Sequence, residues 1–223
     1  MRLLDLFCGA GGASEGYERA GFTEIVGVDI ACQPHYPYTF IRADALSFPL
    51  DGFDAIHASP PCQDYARTRF IVSRRGREYP RLIAPMRERL IASGLPWIME
   101  NVEGAPLMNP VTLCGTSLGL RVRRHRLFES SHLLFAAGPC NHQDGDVGVY
   151  AGKVTVLGSH ATAYTASSGR IHYRPQTLKV IDGQIAMGIA SWMSAHELSQ
   201  AIPPAYTEWL GRQLLEAIKA HAA

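Results

Sequence analysis

Leu3–Phe7 is an apolar run that ends in the turn Cys8-Gly9-Ala10-Gly11-Gly12, and a helical stretch follows through about Ala20 before Gly21 stops it. A strand, a glycine turn and a helix in that order confine the chain to architectures in which parallel strands alternate with helices. Ser14 is the expected N-cap of that helix. The pattern repeats: Glu24–Val28 reads as a strand closing at Asp29, Phe40-Ile41 leads to Asp44, and Ala55–Ser59 reads as a buried strand closing at Pro60-Pro61. A helix across about 80–93, stopped by Gly94, precedes a strand Pro96–Glu100. The expected fold class is α/β, a mostly parallel twisted sheet with helices on both faces.

In such sheets ligands sit beyond the carboxyl ends of the strands, so the strand-end residues carry the argument. The glycine turn lets a ligand approach the backbone at a helix N-terminus, and Asp29, about twenty residues on, is spaced to accept hydrogen bonds from ribose hydroxyls. Asp44 follows the third strand as a partner for an adenine amino group. Alone, this turn is equally a tight turn without a ligand. Ser59-Pro60-Pro61-Cys62-Gln63 comes next, with two prolines fixing the backbone before a thiol. A structural cysteine usually lies within an apolar run; Cys62 is followed by Gln63 and Asp64, which suits a presented nucleophile. Glu100-Asn101-Val102 ends the fifth strand. A lone glutamate there reads as a surface residue, but as the third strand-end group converging on one edge it is a candidate acid.

Composition bounds the class. The chain has 223 residues with 47% hydrophobic and 18% charged residues, which suits one domain with a small appended region. No run approaches the ~20 apolar residues of a membrane span, and the N-terminus does not read as a signal peptide, so a cytoplasmic location is expected. Five cysteines in such a chain are expected as free thiols. The net charge of +1 hides an excess of arginine in 67–89, with eight arginines against Glu78 and Glu88, and a second group at Arg121, Arg123, Arg124 and Arg126. A solvated face is the bland reading of one cluster; two point to phosphate contact.

From about Ser130 to Ile185 the composition shifts to Gly, Ser, Thr, His and Tyr, with β-like runs such as Gly148–Val156 and no helical period. The expected organisation is 1–129 catalytic and cofactor-binding, 130–185 a small target-recognition region, and 186–223 a C-terminal segment packing back on the first. Helical character returns at Ser194–Gln200. A last helix, Ala205–Ala220, places Trp209, Leu210, Leu214, Ala217 and Ile218 on one face.

Together these segments resemble the DNA cytosine-C5 methyltransferase family, and its short phage-type members above all. The resemblance rests on Asp5-Leu6-Phe7-Cys8-Gly9-Ala10-Gly11-Gly12, Pro61-Cys62-Gln63, Glu100-Asn101-Val102 and Arg124-His125-Arg126-Leu127-Phe128, in that order. It covers residues 1–130 and the C-terminal helix. It implies a Rossmann-like S-adenosylmethionine-dependent methyltransferase fold and a base flipped from double-stranded DNA. Cys62 would add to cytosine C6, Glu100 would bond N3 and the exocyclic amine, and Arg126, with Arg124 beside it, would hold O2 and the developing charge. Phe7, Gly9, Ala10, Gly11, Gly12, Asp29, Ile30, Asp44, Ala45, Pro61, Gln200 and Ala201 would line the S-adenosyl-L-methionine site. A monomer acting in restriction-modification is the implied setting, with no membrane partner.

The chain departs from the family in two places. Val122 stands where a glutamine is usual, and Ser199-Gln200-Ala201-Ile202 lacks the usual glycine of the C-terminal motif, which weakens the cofactor role of Gln200. The short 130–185 region favours a short recognition site. A tRNA cytosine-C5 methyltransferase is the nearest rival, because that branch shares Pro-Cys-Gln and Glu-Asn-Val; a non-catalytic DNA- or nucleoside-binding module is the rival of another class. Cys140-Asn141-His142, with Cys114 earlier, does not form a convincing zinc pattern, so no metal is expected. His132, His142, His160 and His172 read as surface or substrate-facing groups.

Overall fold

A computed structural model describes residues 1–65, 80–158, 162–165, 171–174, 176–190 and 192–221, with 162–165 and 171–174 described by backbone alone. Seven strands form one sheet: β1 (Arg2–Leu6), β2 (Glu24–Asp29), β3 (Thr39–Arg42), β4 (Ala55–Ala58), β5 (Trp97–Asn101), β6 (Val111–Cys114) and β7 (His125–Ser130). Their order is β3-β2-β1-β4-β5-β7-β6. The first five are parallel, while β7 runs antiparallel to both β5 and β6. This is the expected Rossmann-like α/β class, a mostly parallel sheet. Because β7 is reversed, its first residues lie at the same edge as the carboxyl ends of β1, β2, β4 and β5.

The period of two along the strands sorts the side chains between two buried layers. Leu3, Ile25, Ala55, Ile98 and Phe128 face α1 (Gly12–Ala20) and the last helix, while Leu4, Leu6, Val26, Val28, Ile56, Ala58 and Met99 face α2 (Ile83–Ser93). Helices therefore cover both faces. The C-terminal helix, α5 (Pro204–His221), follows α3 (Val180–Met187) and α4 (Ala195–Gln200). It lies so close to α1 that a Cβ on Gly16 would stand 2.1 Å from the Pro204 carbonyl oxygen and from Thr207 Oγ1. That approach lets Thr207 donate to the Ala13 carbonyl at 2.8 Å across the helix pair. Leu210, Leu214 and Ile218 of α5 are buried as expected, but Trp209 is 38% exposed, its indole N–H donating to the Phe135 carbonyl at 2.8 Å.

Ser14 is not the cap of α1. Gly11 holds that position with φ 89, and Ser14 sits one turn in, buried, with its hydroxyl on Asp5 and within 2.7 Å of the Tyr36 hydroxyl. Ser194 does cap α4, through the Glu197 N–H. The segment after β7 carries two hairpins, β8 (Val147–Tyr150) with β9 (Lys153–Val156) and β10 (Thr162–Thr165) with β11 (Ile171–Arg174). It also contains α3, where the sequence shows no helical period before Ile185. Ile181 and Ile185 are exposed while Gly183, Gln184, Ala186 and Met187 are buried, so hydrophobicity does not track the buried face. Packing against β9 explains it, since a Cβ on Gly183 would stand 2.7 Å from Val154. Val122, Val147, Val149, Val154, Met187, Met193 and Leu198 close a separate small core that reaches Ala10. Among the described residues no helix is long and apolar enough to cross a membrane.

Candidate active site

Cys62, Glu100 and Arg126 converge on the carboxyl edge of the sheet from three elements. Cys62 follows β4 in a loop fastened on both sides: the Ser59 N–H donates to the Leu6 carbonyl at 3.1 Å, and the Tyr65 N–H to the Cys62 carbonyl at 3.0 Å. Asn101, given no role in the sequence reading, is the fastener between strands. Its amide donates to the Pro60 carbonyl at 2.9 Å and its Oδ1 accepts the Val102 N–H at 2.9 Å. The two prolines lack N–H groups, so the side chain of the neighbouring strand supplies the hydrogen bond that holds this loop.

Glu100 is buried, and Arg126 Nε lies 2.8 Å from its Oε1. Burial raises the Glu100 carboxyl above the usual carboxylate range; Arg126, Arg124 and a hydrogen bond from Ser59 oppose that shift. Burial and the Glu100 charge likewise push the Cys62 thiol up, while Arg126 and Arg124 pull it down. The two arginines therefore stabilise both anions. A buried polar chain backs Glu100: Ser59 Oγ is 2.9 Å from His57 Nε2, and His57 Nδ1 is 2.8 Å from the Tyr17 hydroxyl. Burial lowers the His57 pKa to about 3, so the ring is neutral. With the proton on Nε2 every link is satisfied: Tyr17 donates to Nδ1, Nε2–H donates to Ser59, and Ser59 donates to Glu100.

Arg124 occupies a different position from Arg126. It is 1% exposed, and its guanidinium donates to the Val149 carbonyl at 2.7 Å and the Ser199 carbonyl at 2.8 Å, while its own carbonyl accepts the Tyr206 hydroxyl. It thus joins β7, β8, α4 and α5. The other described arginines are also engaged internally. Arg87 grips Glu129 through two nitrogens at 2.6 and 2.7 Å, Arg89 donates to the Ala45 and Phe48 carbonyls, and Arg121 donates to the Gly145 carbonyl. Arg123 pairs with Asp146 at 3.2 Å, and Arg81 with Asp64 at 2.7 Å. The phosphate grip expected of these two clusters is corrected for Arg87, Arg89, Arg123 and Arg124, whose guanidinium groups are largely covered and internally bonded, while Arg81 and Arg121 stay exposed. Arg67, Arg69, Arg74, Arg75 and Arg77 lie outside the described residues.

Beside this centre the glycine turn forms a cradle. Phe7 (φ 59), Gly9 (φ 49) and Gly11 (φ 89) take left-handed backbone conformations that fold the turn back, and the Gly11 N–H closes it on the Cys8 carbonyl at 3.1 Å. Ala10 accepts the Trp192 indole N–H at 2.9 Å. Gly12 abuts the C-terminal return: its Cβ would stand 2.5 Å from the Ile202 carbonyl and 3.1 Å from Ala201, with Gln200 just before. Asp29 accepts from the Gly9 N–H at 3.2 Å and the Ala31 N–H at 2.9 Å, and Ile30 beside it is 69% exposed. Asp44 Oδ1 accepts the Leu46 N–H at 2.9 Å, with Ala45 buried behind it. An acid with lone pairs to spare and an uncovered aliphatic side chain at one strand end fit a nucleoside, the one for its hydroxyls and the other for its ring. Pro61 lies between this cradle and Cys62 in the chain.

One further cluster lies beside β7. Cys114, His125, Cys140 and His142 place one ligand atom each within 4.8 Å of one another, against the expectation that no metal set exists here. His132 lies apart from it, and His160 and the side chain of His172 are outside the described residues. All five cysteines are free.

Residues 1–109 match the family described as C-5 cytosine-specific DNA methylase. The type II methyltransferase M.FnuDI of Fusobacterium nucleatum is 33% identical over 119 residues, which is 47% of this chain and 33% of that protein. M1.HphI of Haemophilus parahaemolyticus, also a type II methyltransferase, is 32% identical over 84 residues, 30% of this chain and 22% of that one. The chain thus spans about a third or less of these curated relatives. The whole architecture recurs in Entamoeba histolytica methyltransferase EhMeth, with TM-score 0.64, 10% identity, and 98% of each chain covered. It recurs again in the S. pombe Dnmt2 methyltransferase, with TM-score 0.61, 12% identity, and 98% and 99% of the two chains covered. These likenesses establish the fold, and over residues 1–109, just under half of the chain, the sequence is similar to the C-5 cytosine-specific DNA methylases.

Proposed function

We propose that the protein methylates C5 of cytosine in double-stranded DNA. The observation that carries this reading is the meeting of Cys62, Glu100 and Arg126 at one sheet edge beside the nucleoside cradle. S-adenosyl-L-methionine, held by Phe7, Gly9–Gly12, Asp29, Ile30, Asp44, Ala45, Pro61 and the Gln200-Ala201 return, supplies an electrophilic methyl group. The chain's own residues do the rest. Cys62 adds as a thiolate to C6 of a flipped cytosine, forming the C6–S bond and pushing an electron pair towards N3. Glu100, whose carboxyl burial raises above the usual carboxylate range, delivers a proton to N3, so the ring becomes enamine-like and C5 nucleophilic. Arg126 steadies the charge on O2. Loss of the C5 proton after methylation then returns the electron pair, breaks the C6–S bond and frees Cys62. Arg124 acts as a positioning residue, holding the start of β7 through the carbonyls it ties.

Residues 130–185 are assigned to target recognition, with 1–129 as the catalytic part and 186–223 as the segment returning to it. A monomer in the cytoplasm serving DNA modification completes this reading. The test is transfer of a labelled methyl group to duplex DNA and, separately, to tRNA. Labelled 5-methylcytosine in DNA is expected, with at least a ~10³-fold loss in Cys62→Ser. Duplex containing 5-fluorocytosine should trap the protein covalently through Cys62, because fluorine cannot leave as a proton. Label in tRNA alone, or full activity in Cys62→Ser, would overturn the proposal.

A further inference from the structure

We propose that Cys114, His125, Cys140 and His142 bind one zinc ion that clips the segment after β7 to the edge of the sheet. Cys114 and His125 are register partners on antiparallel β6 and β7, so their side chains stand side by side on one face. Cys140 and His142 arrive from the segment leading to β8, two residues apart, and so point the same way along an extended chain. The Cys114 sulfur is 3.3 Å from His142 Nε2, and the Cys140 sulfur is 3.3 Å from His125 Nε2. A tetrahedral zinc with bonds of ~2.3 Å to sulfur and ~2.1 Å to nitrogen separates sulfur from nitrogen by ~3.6 Å. Two sulfur–nitrogen pairs are therefore close to ligand spacing, and all four ligand atoms lie within 4.8 Å of one another, near enough to close on one ion.

The surroundings suit a closed site. Thr116 Oγ1 lies 3.3 Å from the Cys114 sulfur and also accepts the Asn141 N–H at 3.2 Å, which ties a neighbour of two ligands to a third. Glu103 Oε2 faces the unused Nδ1 of His125 at 3.7 Å, the partner by which a carboxylate orients a ligating imidazole. Two thiolates cancel the charge of a divalent ion, so the half-buried cluster carries no net charge when filled. Thiolate and imidazole ligands at four tetrahedral positions select zinc, and with all four taken by the protein no position is open for a water. The ion's role is structural. His125 stands between Arg124 and Arg126, so the clip also fixes the strand start that presents both.

Metal content tests this apart from methyl transfer, so the two proposals fail separately. Protein purified under reducing conditions without chelator should carry one zinc per chain by elemental analysis. After zinc removal, added Co²⁺ should give the intense visible bands of a tetrahedral thiolate site. Cys140→Ser and His142→Ala, both at exposed positions, should each weaken metal binding at least ~100-fold, while Cys62→Ser should keep the full complement. If Cys140→Ser does not fold, His142→Ala gives the same reading. Zinc-free protein whose cobalt spectrum is weak and octahedral would overturn the proposal. So would a Cys114–Cys140 disulfide in the reduced preparation, or a Cys140→Ser protein with an unchanged cobalt spectrum.

Discussion

The sheet and the segment after β7 are built on different physics. In the sheet, two large apolar layers lie on either face of seven strands, and the strand-end residues inherit their positions from that frame. Among the described residues, the segment 131–200 places Leu134 in the sheet's core and builds a small core of its own that reaches Val122 and Ala10, and polar ties add to this: Arg124 to Val149 and Ser199, Arg123 to Asp146, and the Cys114–His125–Cys140–His142 cluster. The division matches the chemistry proposed above. A nucleophile and an acid need a frame that does not move, whereas a surface that selects a short DNA site can vary as long as its ties survive.

A matched pair of substitutions breaks or sharpens this contrast most strongly. Met99 in β5 and Met187 at the end of α3 are both fully buried. Met99→Ala should lower global stability by about 2–5 kcal/mol. Met187→Ala should instead raise local amide exchange across 147–200 and move the main urea transition far less. Equal shifts of that transition would show one cooperative unit and end the contrast. Arg124→Met tests the tie itself. It leaves the Val149 and Ser199 carbonyls without their donor, at a cost of about 2–3 kcal/mol, and should bring the exchange pattern of Met187→Ala.

How much of this was legible from residues alone follows the same division. The strand ends, the glycine turn and the sequence positions of Cys62, Glu100 and Arg126 are local signals: apolar runs of strand length, prolines before a thiol, an acid after a buried run. Ser14 misled because a serine two residues past a glycine turn looks like a cap, while its real partner, Asp5, lies on the adjoining strand. Asn101, His57 and Tyr17 carry no local mark; their roles depend on which strand lies beside which. The four-residue cluster was hidden for the same reason. Its ligands have no zinc-like spacing, and only the Cys114–His125 register brings the first two together. The helix α3 escaped because its exposed isoleucines blur the period.

The buried chain behind Glu100 belongs to the rigid half and predicts a pH dependence with a definite sign. His57 is held neutral with its pKa lowered from 6.5 to about 3, so the unfolded chain binds a proton that the folded one refuses. Its contribution is complete above 6.5 and is lost as pH falls from there towards 3. Asp5 acts in reverse. Its pKa is raised from 3.8 to about 7, so its contribution is complete below 3.8 and is lost as pH rises through 7. Comparing wild type with His57→Gln isolates the first effect. Between about pH 7.5 and about pH 5 the wild type should lose about 2 kcal/mol relative to the variant in urea titrations. A pH-independent difference would mean that His57 takes up its proton in the fold as readily as in the unfolded chain, and that the chain to Glu100 is not the neutral one assigned here.

The smallest effect is expected at Asp146, in the segment after β7. Its carboxylate accepts the Gln143 N–H at 2.9 Å and pairs with Arg123 at 3.2 Å, which closes the turn just after His142. Asp146→Asn keeps an acceptor for the Gln143 N–H and removes the charge, so only the ion pair is lost. Because Arg123 is partly open to solvent, that loss should be about 1 kcal/mol or less and should shrink as salt is raised. The same variant separates the ties from one another. If the metal clip and Arg124 hold the segment, zinc content stays at one per chain and the exchange pattern of 147–200 barely changes. If zinc is lost along with this modest pair, the turn rather than the ligand set is what holds His142 in place, and the two ties act as one.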